Sequence, residues 1–172
     1  PQGFLYFANQ EGIIEFDANL IYFGLSGAIS ESLSDMWGEF MDQTNAAGSD
    51  TADKRWLIGE DLPPAIGAVR NMANPPAFSS VLGGVTITQP DRHDSSDFYY
   101  GLDDDGGVHH NSGVLNKLAY LLVDGDTFNG HVITGWGIDK VSELYYEAET
   151  NLLLRGADFT DFYNALRQGA IN

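Results

Sequence analysis

The stretch "DGGVHHNSGVLNKLAYLL", residues 105–122, joins a glycine pair and two adjacent histidines to an apolar pattern with helical spacing. Gly106 and Gly107 let the backbone turn tightly just before His109. Asn111 or Ser112 is then available to cap a helix expected over 112 to 123. Asp103, Asp104 and Asp105 stand four to six residues upstream of His109. A turn there can bring one carboxylate to a ring nitrogen, fixing the tautomer of His109 and favouring its charged form. An imidazole so oriented can donate to a developing oxyanion. The spacing is equally compatible with a capped helix start carrying a solvent-exposed histidine, and His110 gains no role from it.

Upstream, "SGAISESLSDMWGEFMDQT" repeats apolar residues at 29, 33, 36, 37, 40 and 41, which predicts a helix with Ser26 at its start. Glu31 and Asp35 lie one turn apart on one face of it. Two readings are open: a solvated acidic face, or a cation ligand (Glu31) beside a carboxylate that accepts a hydrogen bond from another ligand's imidazole (Asp35). Farther back, "FLYFANQEGIIEFDANLIYF", residues 4–23, has apolar positions at 13, 14, 16, 20 and 21, and is read as a helix. Residues 45 to 107 are rich in Gly, Pro, Asp, Asn and Ser, so a long irregular segment with one small hairpin is expected. Arg70, inside that segment, suits a bidentate contact to a carboxylate or carbonyl, either as a structural ion pair or as a ligand-binding group. Helical patterning returns at 136 to 155 and 158 to 168. The resulting fold class is mainly α, a helical bundle, with residues 1–172 read as a single domain.

Composition limits the function classes. The 172 residues carry 25 acidic against eight basic side chains, a net charge of −17, with 43% hydrophobic content. A globular core is therefore expected, and the field repels nucleic acid and anionic lipid. With no cysteine, any metal must rest on His, Asp, Glu or carbonyl oxygen. No apolar run approaches the ~20 residues of a membrane span. The start at Pro1 reads as mid-domain sequence or a cut product.

Six strings, in order, resemble the thermolysin family of zinc metalloendopeptidases, in the helical C-terminal part of its catalytic unit: "LIY" at 20–22, "SGAISESLSD" at 26–35, "WLIGEDL" at 56–62, "VRNMANP" at 69–75, the opening stretch, and "TGWGIDKVSELYY" at 134–146. The resemblance implies that Glu31 is a zinc ligand and Asp35 its supporting partner. It implies that His109, oriented by Asp104, joins Tyr22 in stabilising the tetrahedral oxyanion. Arg70 would hold the substrate carbonyl on the leaving-group side, and Ile58, Leu62 and Val69 would line the pocket for a bulky side chain. Asp42 and Glu60 match places where the family binds calcium, although Arg55 and Leu57 stand where other acids are expected.

The family mechanism needs an H-E-x-x-H helix, and the chain has none. Counting back from Glu31, the motif falls on "FANQE", with Phe7 and Glu11 at the histidine positions and Ala8 at that of the base. A degenerate position, a motif before Pro1 separated by an insertion, or written residues that differ there from the natural ones would each explain this. The continuous match at 12 to 35 argues against an insertion. The expected function is therefore the C-terminal domain of a secreted zinc metalloendopeptidase, inactive as this chain alone, or a non-catalytic peptide-binding or assembly module. Its expected partners are a peptide substrate and either the absent N-terminal half or a second copy. Zinc is expected not to be held by this chain by itself.

Overall fold

The structure, a computed structural model, describes residues 6–9, 12–15, 20–48, 50–63, 67–82 and 85–172. Two long helices form its centre, α1 (Gly24–Thr44) and α2 (Asp103–Val123), followed by the shorter α3 (Ile138–Glu147) and α4 (Phe159–Gly169). Apolar side chains one turn apart make the core stripe: Ile29, Leu33, Met36 and Phe40 on α1, and Leu115, Ala119 and Val123 on α2. Val141, Leu144 and Tyr145 of α3 and Phe162, Ala165 and Leu166 of α4 close the same core. The rings of Tyr145 and Phe162 meet edge to face at 5.6 Å. α1 and α2 approach so tightly that a Cβ on Gly27 would lie 2.4 Å from a methyl of Val108. That contact fixes how the N-terminal halves of the two helices face one another.

The mainly helical reading holds, with four corrections. Within the helix expected over 4 to 23, the described residues 6–9 and 12–15 form instead an antiparallel pair, β1 (Tyr6–Asn9) with β2 (Gly12–Glu15), in the register Tyr6↔Glu15 to Asn9↔Gly12, and 20–23 are non-helical; the remaining positions lie outside the described residues. Aromatic and β-branched residues such as Phe7, Ile13 and Ile14 favour extended backbone, and five apolar positions were too few to override that. Second, Ser26 does not cap α1. Phe23 precedes the helix, and Ser26 lies inside it, donating its hydroxyl to the carbonyl of Arg155 at 2.9 Å.

Third, α2 begins nine residues before the expected start. Asn111 and Ser112 are buried inside it and cap nothing. Fourth, the segment from 45 to 107 contains two antiparallel pairs: the minimal β3 (Leu57–Ile58) with β4 (Arg70–Asn71), and β5 (Ser79–Leu82) with β6 (Val85–Thr88). A further hairpin, β7 (Gly125–Phe128) with β8 (His131–Thr134), fills the gap between α2 and α3. Its turn is Asn129–Gly130, both at positive φ, the residue pair best suited to a tight hairpin turn.

The last two helices follow the expected positions closely. α3 loosens into one wide turn, Ala148–Leu152, where a single continuous helix was expected to 155. α4 starts with a reciprocal capping box: the Asp158 carboxylate accepts from the backbone of Asp161, and the Asp161 carboxylate accepts from the backbone of Asp158. No helix among the described residues is long and apolar enough to cross a membrane.

Candidate active-site wall

The first turn of α2 is unusual. Asp104, Asp105, Gly106 and Gly107 all have positive φ, between 50° and 84°, so the chain makes a left-handed turn before winding right-handed from Val108. Glycine at 106 and 107 is required: a Cβ on Gly107 would lie 2.6 Å from the Tyr99 ring, and one on Gly106 3.0 Å from the Gly24 nitrogen. The reversal folds Asp104 back over His109. One Asp104 oxygen accepts the His109 backbone N–H at 3.0 Å, and the other lies 2.6 Å from His109 Nδ1. With Nδ1 committed to the carboxylate, Nε2 faces outward, 3.3 Å from Tyr22 Oη and 3.4 Å from Glu31 Oε2. Tyr22 donates a short hydrogen bond to Glu31 Oε1. Partial burial, the Glu31 hydrogen bond and the Glu31 charge push the phenol well above its ordinary pKa, so Tyr22 stays a donor at neutral pH.

A second polar pair stands on the same face of the molecule. Arg70 on β4 forks onto Asp35, Nε to Oδ2 at 2.7 Å and a terminal nitrogen to Oδ1 at 2.6 Å. Asn116 of α2 donates to the same Oδ2 at 2.8 Å, and Ser32 donates to Asn116 in turn. Burial works against the Arg70 charge, but the Asp35 hydrogen bond and charge outweigh it and hold the guanidinium above its usual pKa. In place of an imidazole, Asp35 therefore binds Arg70 and Asn116.

Ile58 pairs with Arg70 across β3 and β4. Leu62 and Val69 are its apolar neighbours around Gly59, whose added Cβ would touch both. A cleft of about 440 Å³ runs beneath Ile58 and Leu62, floored by Asp35, Glu39, Asp42 and Glu60. Burial, and then the adjacent Asp42, raise the Glu60 pKa. Burial also raises that of Glu39, against hydrogen bonds from Gln43 and from the Trp56 backbone. A smaller pocket of about 170 Å³ connects Val69, Arg70, Phe78, Ser79, Gln89 and His109.

The predicted residues thus gather into two adjoining groups, Tyr22–Glu31–His109–Asp104 and Arg70–Asp35 with Ile58, Leu62 and Val69. Asp42 and Glu60 adjoin one another in the lining of the same cleft. Sequence reading missed Asn116, Ser32, Glu39 and Gln89. Asn116 and Ser32 fall at buried helix positions, where an isolated polar residue is itself a signal. Gln89 carried none.

A family model, the "Thermolysin metallopeptidase, alpha-helical domain", matches residues 18–172. The chain belongs to that family. It is 42% identical over 147 residues to a zinc metalloproteinase of Renibacterium salmoninarum, covering 82% of this chain and 25% of that one. It is 38% identical over 165 residues to the bacillolysin of Bacillus cereus, covering 92% and 25%. The precursor of protealysin, a metalloproteinase from Serratia proteamaculans, superposes with a TM-score of 0.64 at 30% identity, covering 90% of this chain and 46% of that one. The thermolysin-family domain described here thus spans about a quarter of the length of the curated relatives it matches.

Among the described residues, the groups around Glu31 supply fewer than the three protein ligands of an open zinc site. Glu31 is one carboxylate, already bound by Tyr22, and no group of three or more His, Asp or Glu among the described residues is placed to hold a metal. Phe7 and Ala8 are residue types with no ligating side-chain atom, and Glu11 lies outside the described residues. For calcium, Asp42 and Glu60 meet the same limit. Arg55 instead forms an ion pair with Asp124 at 2.9 Å.

Proposed function

We propose that residues 1–172 are one helical domain whose exposed groove is the oxyanion-facing wall of an extracellular metalloendopeptidase cleft. The convergence of Tyr22, Glu31, Asp104 and His109 beside Arg70 carries this reading. His109, aimed by Asp104, and Tyr22 supply two donors for the tetrahedral oxyanion of peptide hydrolysis. Arg70, held by Asp35, receives the substrate carbonyl on the leaving-group side, while Ile58, Leu62 and Val69 accept a bulky apolar side chain. Glu31 is the carboxylate that the described residues offer to zinc. The remaining ligands and the base would come from outside the groups assembled here, and Asp42 with Glu60 forms at most part of a calcium site. Partners are a peptide substrate and an N-terminal half or a second copy of the chain. A charge of −17 disfavours nucleic acid.

Taken alone, the 172-residue chain is expected to bind peptides and to leave them intact. Purified chain incubated with casein, with zinc and with chelator, should release no fragments. Chelator-sensitive cleavage would show that it assembles a whole catalytic centre. A peptide with a bulky apolar side chain should bind measurably by calorimetry, and more weakly to Tyr22→Phe and His109→Ala; equal affinities in all three would remove this face as the binding wall. Phe7 and Ala8 at the motif positions favour the second reading, a peptide-binding module without catalysis. Retained binding without hydrolysis, even after supply of an N-terminal half from a relative, would select it.

A further inference from the structure

The carbonyl of His109 has a partner from outside its helix. Gln89, at the end of β6 and only 6% exposed, donates its side-chain amide to that carbonyl at 2.7 Å. Its other amide atom, Oε1, is buried without a partner. A buried acceptor left unbonded opposes folding, so that half of the amide works against stability. Gln89 also lines the small pocket that contains His109 and Arg70. Around it, the segment from 89 to 99 is stitched to two residues of α2. Gln89 takes His109, and Asn111 exchanges hydrogen bonds of 3.0 and 2.9 Å with the backbone of Tyr99. The helix is held flush against this segment at Gly113, where a Cβ would lie 2.6 Å from the Pro90 carbonyl.

We infer that Gln89 is a positioning residue for His109, fixing through the backbone carbonyl the height at which the imidazole faces Tyr22 and Glu31. Asp104 sets the ring's direction and Gln89 sets the depth of the turn that carries it. The inference rests on the proposed role of His109, but it can be tested apart from that role. Gln89→Glu keeps shape and length. Ionised, it turns a donor into a second acceptor facing the carbonyl; protonated, its O–H can donate as the amide did.

The measurement is the NMR signals of the His109 ring and backbone amide in wild type and Gln89→Glu at pH 8 and pH 5. Asp104, Glu31 and Tyr22 face His109, Asp35 faces Arg70, and His110 follows on the same turn; comparison with wild type at the same pH cancels whatever these groups contribute. The expected result is displacement from wild type at pH 8 and return to it at pH 5. Signals that match wild type at both pH values, or that are offset equally at both, overturn the inference.

Gln89→Met, which removes the donor and the unpaired acceptor together, covers the case in which the glutamate variant does not fold. It should melt within a few degrees of wild type with His109 signals displaced at both pH values; unmoved signals overturn the inference. Peptide affinity in Gln89→Glu at pH 8 should fall roughly two- to tenfold, the worth of one hydrogen bond. If His109 moves as expected while wild type binds no peptide, positioning stands and the functional reading fails.

Discussion

Arg70 carries two duties that pull a substitution in different directions. It lines the small pocket beside His109, where the proposed function has it meet substrate, yet it also neutralises Asp35, whose side chain is only 5% exposed. Arg70→Ala would leave that carboxylate buried with Asn116 as its remaining partner. Removing one member of such a pair typically destabilises by about 3 kcal/mol, because a buried charge loses its compensation. Urea unfolding should show a loss of that order. Asp35→Asn combined with Arg70→Ala should recover part of it, since the two residues are coupled. Weakened peptide binding by Arg70→Ala alone would therefore not locate Arg70 in the groove. The double variant, which restores folding without the guanidinium, is the cleaner probe. That distinction was invisible in the sequence, where Arg70 stood in "AVRNMANPP" with no indication that its partner lay 35 positions earlier on α1.

Among the elements, turns decide more than helices do. Gly107→Ala meets two penalties: a left-handed backbone, which disfavours a Cβ by roughly 1–2 kcal/mol, and a collision with the Tyr99 ring. Gly130, at the β7–β8 turn, has a similar φ of 81° with nothing within 4 Å of an added Cβ. Chemical denaturation should therefore rank Gly107→Ala as clearly more destabilising than Gly130→Ala. Equal losses would mean that the Tyr99 ring moves aside freely. The same contrast explains what could be read beforehand. The 3.6-residue spacing at 29, 33, 36 and 40 located α1, because burial of one stripe is a local pattern. The Asn129–Gly130 pair is a hairpin signal legible in the sequence itself. The early start of α2 was not legible, because four left-handed residues in succession are set by the Asp104 bonds to His109 and by the close approach of Tyr99 and Gly24 to the two glycines, which exist only after folding. The N-terminal helix failed for a related reason: a few apolar residues in "GIIEFD" fit either period.

For the molecule as a whole, pH acts through groups of opposite sign. Glu39 has a folded pKa raised above its ordinary 4.5, chiefly by burial and further by Glu60 and Asp42. Its contribution to stability is thus fully present below about 4.5 and lost as pH rises through the folded value. His110 is depressed from 6.5 by burial, so its contribution is present above about 6.5 and lost as pH falls through its folded value. Glu39→Gln keeps an acceptor for the Trp56 amide while removing the charge. It should raise the melting temperature at pH 8 and match wild type near pH 4. A uniform shift at both pH values would mean the effect is packing and not ionisation. Family strings in order made the overall fold and the pairing of His109 with Asp104 readable from the sequence. The floor of acids under Ile58 was only partly so, since Glu39 entered the cleft from a helix face that reads simply as buried.

The left-handed turn before His109 has one more consequence. Its two aspartates oppose that geometry on their own, and the groups that compensate arrive from α1 and from the Tyr99 segment. Partly folded or nicked forms of the chain therefore lack the Asp104–His109 pairing, which comes into being only together with the finished tertiary structure. On the proposed reading, that would tie any use of this wall to the quality of folding.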